Sequence, residues 1–160
     1  MLSIDANLLL YYFNNASPRH DDARSRLDSI QRDEDVAIFQ RDEDVAICEF
    51  ILAGFYGLLR NSAVLKHPLP ADEAVEAVEV IQTYRRHPRW RLIGFPTESR
   101  PLHDALWTKA RAKDFAFCKL YDTCSAPTMT AQGVTEFATV NVKDFEGLRF
   151  RKVRNSLTAL

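Results

Sequence analysis

Leu2-Ser3-Ile4-Asp5-Ala6-Asn7-Leu8-Leu9-Leu10 is the stretch on which the reading of this chain turns. A short apolar opening run delivers one carboxylate, and a second apolar run follows directly behind it. An ionised Asp among such neighbours costs several kcal/mol unless something compensates it. A divalent cation would do so. Two further carboxylates, Asp122 and Asp144, occupy a similar kind of position, each after an apolar run. This repetition points to a divalent-metal site built at the ends of strands.

Leu2 to Ile4 reads as a strand and Asn7 to Phe13 as the start of a helix. Ser17-Pro18 is a helix-start signal, Ser as N-cap and Pro at the first helical position, for an amphipathic segment running to about Ile30. Val45 to Cys48 is a short strand candidate, followed by an apolar helix from Glu49 to Arg60. The cleanest helix is Asp72 to Arg86, where Ala74, Val75, Val78, Ile81 and Gln82 follow the 3.6 period and Val78 and Ile81 lead the candidate core. His87-Pro88 stops it. Arg91 to Phe95 reads as a strand, Leu102 to Lys113 as a helix, Ala116 to Tyr121 as a strand, and Asp122 to Gln132 as a helix that Asp122 N-caps and Gly133 terminates. Val134 to Val140 and Phe150 to Val153 close the series. Strands alternating with helices predict an α/β domain with a mainly parallel sheet. In such sheets ligands gather beyond the carboxyl ends of the strands, where Asp5, Asp122 and Asp144 are expected to converge.

One segment stands apart. Gln31-Arg32-Asp33-Glu34-Asp35-Val36-Ala37-Ile38 recurs unchanged as Gln40-Arg41-Asp42-Glu43-Asp44-Val45-Ala46-Ile47, with Phe39 and Cys48 closing the copies. A solenoid needs three or more longer units, so residues 31–48 hold a local tandem duplication. Only one copy can serve as the strand leading into the next helix. Continuity with Cys48 favours the second and loops out the first, at modest entropic cost; competition of both copies for one register is the alternative.

At 160 residues and 18.3 kDa, residues 1–160 form a single domain. That length buries roughly two-thirds of the surface an unfolded chain exposes. No apolar run approaches the ~20 residues of a membrane span, and no secretory signal is readable, so a cytoplasmic location is expected. The three cysteines, Cys48, Cys118 and Cys124, match no zinc or redox spacing and read as reduced residues; the four histidines are scattered. A net charge of −1 excludes a global basic field for nucleic acid. Two local basic stretches remain, Arg85-Arg86-His87 with Arg89 and Arg91, and Arg149, Arg151, Lys152 and Arg154. They read as solvated surface or as phosphate contacts beside an acidic site. The runs Asp33-Glu34-Asp35 and Asp42-Glu43-Asp44 lack the glycine and distal Glu of a calcium loop and read as solvated.

In this order, five segments carry a resemblance: Ser3-Ile4-Asp5-Ala6-Asn7-Leu8-Leu9; Phe55-Tyr56-Gly57-Leu58-Leu59-Arg60-Asn61; Tyr84-Arg85-Arg86-His87-Pro88; Leu120-Tyr121-Asp122; and Gly133-Val134-Thr135-Glu136-Phe137-Ala138-Thr139-Val140-Asn141-Val142-Lys143-Asp144-Phe145. The chain resembles the PIN-domain ribonucleases, and among them the VapC toxins of VapBC toxin–antitoxin pairs. The resemblance implies a PIN-like three-layer α/β/α fold and Mg²⁺-dependent hydrolysis of RNA phosphodiesters, with Mn²⁺ as a substitute ion. By position Asp5, Asp122 and Asp144 match metal-binding carboxylates, Asn141 a polar position of the final motif, and Thr139 a supporting hydroxyl. Clustered carboxylates repel one another unless a cation neutralises them. Such a cation also receives the scissile phosphate and acidifies an attacking water. A cognate antitoxin and a homodimer are implied as partners beside the RNA substrate.

The chain departs from the pattern at one position. The resemblance implies a Glu just before the aromatic pair that leads into Leu58-Leu59-Arg60-Asn61, and Gly54 stands there. A site carboxylate is thereby replaced by hydrogen, and Gly costs a helix ~1 kcal/mol relative to Ala. Glu49 lies five residues away, about 140° around the helix axis at ~3.6 residues per turn. Pro127 is expected to kink or break the helix that carries Asp122, with Thr123, Thr128 and Thr130 lowering its propensity further. Two functional readings result: a ribonuclease toxin, attenuated at Gly54, or an inactive PIN-fold remnant that binds antitoxin or RNA. A phosphatase using Asp5 as nucleophile is disfavoured by Asn7, where such enzymes want a second Asp.

Overall fold

The computed structural model describes residues 1–31, 44–84, 90–116, 119–155 and 157. Its centre is a five-stranded sheet formed by β1 (Leu2–Ile4), β2 (Val45–Cys48), β3 (Trp90–Ile93), β4 (Glu136–Thr139) and β5 (Lys152–Asn155), in the order β3-β2-β1-β4-β5. Every pairing is parallel, and Leu2 lies opposite Val45 on one side and Glu136 on the other. β1, β2 and β4 are buried at every position. A strand loses its alternation only when both faces are covered, so these three read as unbroken buried runs between helical layers. The outer strands β3 and β5 keep exposed positions. The chain runs outward from β1 through β2 to β3, then returns to β4 on the other side of β1. That reversal opens a crevice at the carboxyl ends of β1 and β4.

The helices are α1 (Ala6–Phe13), α2 (His20–Gln31), α3 (Glu49–Leu59), α4 (Ala71–Tyr84), α5 (Arg100–Ala110), α6 (Lys119–Ala131) and the short α7 (Val142–Phe145). α3 turns Ile51, Phe55 and Leu59 inward at intervals of four, and they join Leu8 and Leu9 of α1 in the core. In α4 the buried line is Ala74, Ala77 and Ile81, whereas Val75 is exposed and Val78 only partly buried. The small alanines let α4 approach closely, and the valines are left at the margin. Ser17 does not cap α2, which starts three residues later; its Oγ accepts from the Arg19 N–H at 3.2 Å within a preceding turn.

β2 is formed by the end of the second copy of the duplicated segment, Val45 to Ile47, with Cys48. Leu2 N–H donates to the Asp44 carbonyl at 3.1 Å, and Val45, Ala46, Ile47 and Cys48 pair in register with Trp90, Arg91, Leu92 and Ile93. Of the first copy only Gln31, at the end of α2, is described; residues 32–43, Cys118 and residues 85–89 lie outside the described residues.

The segment before Asp122 differs from expectation. Residues 119–121 are the first turn of α6 rather than the end of a strand, so Asp122 is the fourth helical residue and not the N-cap. α6 also runs through Pro127 to Ala131. Proline removes one N–H from the ladder. Around that gap, Ser125, Thr128 and Thr130 donate their hydroxyls to the carbonyls of Asp122, Cys124 and Pro127 at 3.3, 2.9 and 3.1 Å. Burial of Ser125, Ala126, Thr128 and Met129 supplies the packing that keeps the helix intact. Gly133 does terminate it: at φ +86°, it donates to the Thr130 carbonyl while Val134 N–H reaches Met129, a Schellman closure.

Candidate active site

Asp5 ends β1 and begins α1, and its own N–H donates to the Ala138 carbonyl at 2.9 Å. Its side chain is 6% exposed and makes no helix-cap bond. Instead Oδ2 accepts the Thr139 hydroxyl at 2.6 Å and the Asn7 side-chain amide at 3.0 Å. Thr139 Oγ1 in turn accepts the Asn141 backbone N–H at 3.0 Å. The ends of β1 and β4 are thus tied by one chain of hydrogen bonds at the crevice. Burial pushes the Asp5 carboxyl above its ordinary range, while Thr139, Asn7 and the backbone of Asn7 and Ala6 hold it back.

Asp122 approaches from α6 and Asp144 from α7. The Asp122 carboxyl is pushed up to about 6 by burial first, then by the negative charges of Asp5 and Asp144, against a lowering pull from Lys119. The three sequence-selected carboxylates therefore face one another electrostatically. With Asn141 they line one cavity of about 540 Å³, whose walls also include Asn7, Phe50, Gly54, Tyr121 and Ser125. Thr139 stands behind it, fully buried.

Gly54 lines this cavity, and a Cβ built on it would meet only the Ala6 Cβ, at 3.8 Å. A Cβ fits there at ordinary van der Waals contact. Glu49 is not among the lining residues; its carboxylate lies across Gly94, where an added Cβ would stand 2.9 Å from Glu49 Oε2. Glu49 does not occupy the space that a residue-54 carboxylate would fill.

Among the described residues, no three Asp, Glu, His or Cys side chains are grouped tightly enough to cage an ion. The donor set instead suits a cation that keeps much of its water. Mg²⁺ is commonly held by one or two carboxylates plus substrate phosphate oxygens, not by a dedicated cage. Asp5, Asp122 and Asp144 around an open cavity fit that mode.

Lys119, one turn before Asp122, lines the same cavity and was not marked by sequence reasoning. On a helix the i and i+3 residues share a face; read as a strand, the segment hid that relation. Among the described residues of the two basic stretches, Arg91, Arg149, Arg151, Lys152 and Arg154 do not line the cavity. Arg91 pairs with Asp44 at 2.6 Å, and Arg151 donates to Glu136 at 2.6 Å, with Arg154 bonded to the same carboxylate. Burial raises the Glu136 carboxyl, but the two guanidiniums outweigh it and hold it below its ordinary value.

An all-parallel β3-β2-β1-β4-β5 sheet with carboxylates at its reversal point defines a PIN-like α/β/α protein. The whole chain is similar to Ribonuclease VapC24 of Mycobacterium tuberculosis, 40% identical over 159 residues and covering 99% of each sequence, in both the H37Rv and CDC 1551 strains. The chain belongs to the VapC ribonuclease family. No family model matches it. Among solved structures its fold is similar to FitAB bound to a DNA fragment (TM-score 0.59, 16% identity, 100% of this chain and 98% of that one) and to VapBC2 of Rickettsia felis bound to promoter DNA (TM-score 0.58, 16% identity, 96% and 97%). It is also similar to M. tuberculosis VapC20, a toxin that cleaves the sarcin–ricin loop (TM-score 0.52, 15% identity, 86% and 87%). No helix among the described residues is long and apolar enough to cross a membrane.

Proposed function

We propose that this chain is a metal-dependent endoribonuclease, the toxin of a toxin–antitoxin pair, hydrolysing RNA phosphodiesters with Mg²⁺ or Mn²⁺. The observation that carries the reading is the meeting of Asp5, Asp122 and Asp144 in one cavity at the reversal point of the sheet. Asp5, Asp122 and Asp144 would hold the ion. Bound there, a divalent cation would neutralise the carboxylates, polarise a phosphate oxygen and acidify an attacking water. Thr139 and Asn7 fix the Asp5 carboxylate through Oδ2, and Asn141 holds the Thr139 hydroxyl in position. In this reading the partners are a cognate antitoxin and a second copy of the chain.

Gly54 favours a second reading, a folded chain that binds antitoxin or RNA without cutting. It lines the cavity where the resemblance implies a carboxylate, and a Cβ would fit there. The deciding experiment is RNA cleavage in Mg²⁺ and in Mn²⁺ by the wild-type chain and by Gly54→Glu, with EDTA controls. Faster cleavage by Gly54→Glu, abolished by EDTA, supports an attenuated enzyme. Silence from both folded proteins supports the binding reading.

A further inference from the structure

Lys119 opens α6, where the macrodipole disfavours a cation. Its side chain is exposed, and among the described residues it forms no ion pair within 4.0 Å. Yet it lines the carboxylate cavity and is the sole Lys or Arg among the described residues that do so. A lysine serving only to neutralise Asp122 would close onto it. Here the ammonium is near enough to be felt by Asp122 but is left unpaired.

The charges ask for such a group. Three carboxylates balance one divalent cation and one ammonium, and the incoming phosphodiester then adds a further negative charge. Without Lys119 the substrate would meet a cavity already negative with the ion in place. We infer that Lys119 anchors the RNA, its ammonium donating to a non-bridging oxygen of the phosphodiester that enters the cavity. This inference rests on the ribonuclease reading and deepens it. Lysine suits the role as a compact charge on a flexible stem.

The test is binding of a fluorescein-labelled single-stranded RNA of mixed sequence, in Ca²⁺ to suppress cleavage, across 50–300 mM salt (assay range, on the order of physiological). Wild type, Lys119→Gln and Lys119→Arg are compared, with folding checked by circular dichroism and Mn²⁺ affinity by electron paramagnetic resonance. Lys119→Gln is expected to weaken RNA binding about tenfold and to flatten the slope of log affinity against log salt by ~0.7, the value for one single-strand phosphate contact. Lys119→Arg is expected to restore most of both, and Lys119→Gln to leave Mn²⁺ affinity equal or tighter. An unchanged slope in Lys119→Gln, while wild type binds and cuts RNA, overturns the inference alone. Failure of wild type to bind RNA overturns it together with the ribonuclease reading.

Discussion

Thr139 Oγ1 donates to Asp5 Oδ2 across 2.6 Å, joining the carboxyl ends of two neighbouring parallel strands 134 residues apart in sequence. The bond engages Oδ2 of Asp5, a residue that lines the cavity. Partners behind a metal-binding carboxylate commonly contribute 10–100-fold to metal affinity or activity. Thr139→Val, nearly isosteric, should therefore leave the fold intact by circular dichroism while lowering Mn²⁺ affinity and RNA cleavage about 10–100-fold. Unaltered affinity would show that Thr139 serves packing alone.

The raised Asp122 carboxyl makes a signed statement about stability. With a folded pKa of about 6 against an ordinary 3.8, the native state holds more protons than the unfolded state between those values. The Asp122 contribution to the stability of the metal-free protein should therefore fall as pH rises toward 6 and level off above it, with the raised Asp5 carboxyl acting in the same sense. Glu136, held below 4.5, acts in the opposite sense at the acid end, so the Asp122 effect is cleanest between about pH 4.5 and 6. Thermal melts in EDTA should show a fall over that window in wild type and a smaller fall in Asp122→Asn. At pH 7 the variant should melt higher.

Two glycines should respond in opposite directions. Gly54 sits in the interior of α3 with room for a Cβ, so Gly54→Ala should stabilise by about 0.5–1 kcal/mol. Gly133 holds φ +86° at the end of α6, so Gly133→Ala should destabilise by about 1–2 kcal/mol. Urea titration of both variants measures the pair.

The duplication makes the strand beside β1 testable. Val45 is fully buried in β2, so Val45→Asp should cost several kcal/mol. A mild loss from Val45→Asp would show that the first copy can take the place of the second.

How much of this was legible follows the chemistry of each segment. Leu2–Ile4 with Asp5 was readable because an apolar run ending in a carboxylate buries a charge that needs a compensating partner, and the parallel sheet followed from alternation. Gly133 was readable because only glycine accepts its φ without strain. Ala116–Tyr121 was misread because a short apolar run is ambiguous between strand and helix by periodicity. That error placed Asp122 at a cap and concealed Lys119 three residues upstream on the same face. The arginines near the C-terminus looked available for phosphate because their partner, Glu136, lies inside a strand that gives no sign of facing them. Pro127 looked disruptive because propensity cannot anticipate the buried face and the hydroxyl bonds that hold α6 together.

The central claim is that Asp5, Asp122 and Asp144 act as one cation site. Mn²⁺ titration followed by electron paramagnetic resonance, on wild type, Asp5→Asn and Asp122→Asn, tests it most directly. One bound ion in wild type, with affinity reduced at least about tenfold in each variant, is the predicted result. Equal Mn²⁺ affinity in all three folded proteins would contradict the account.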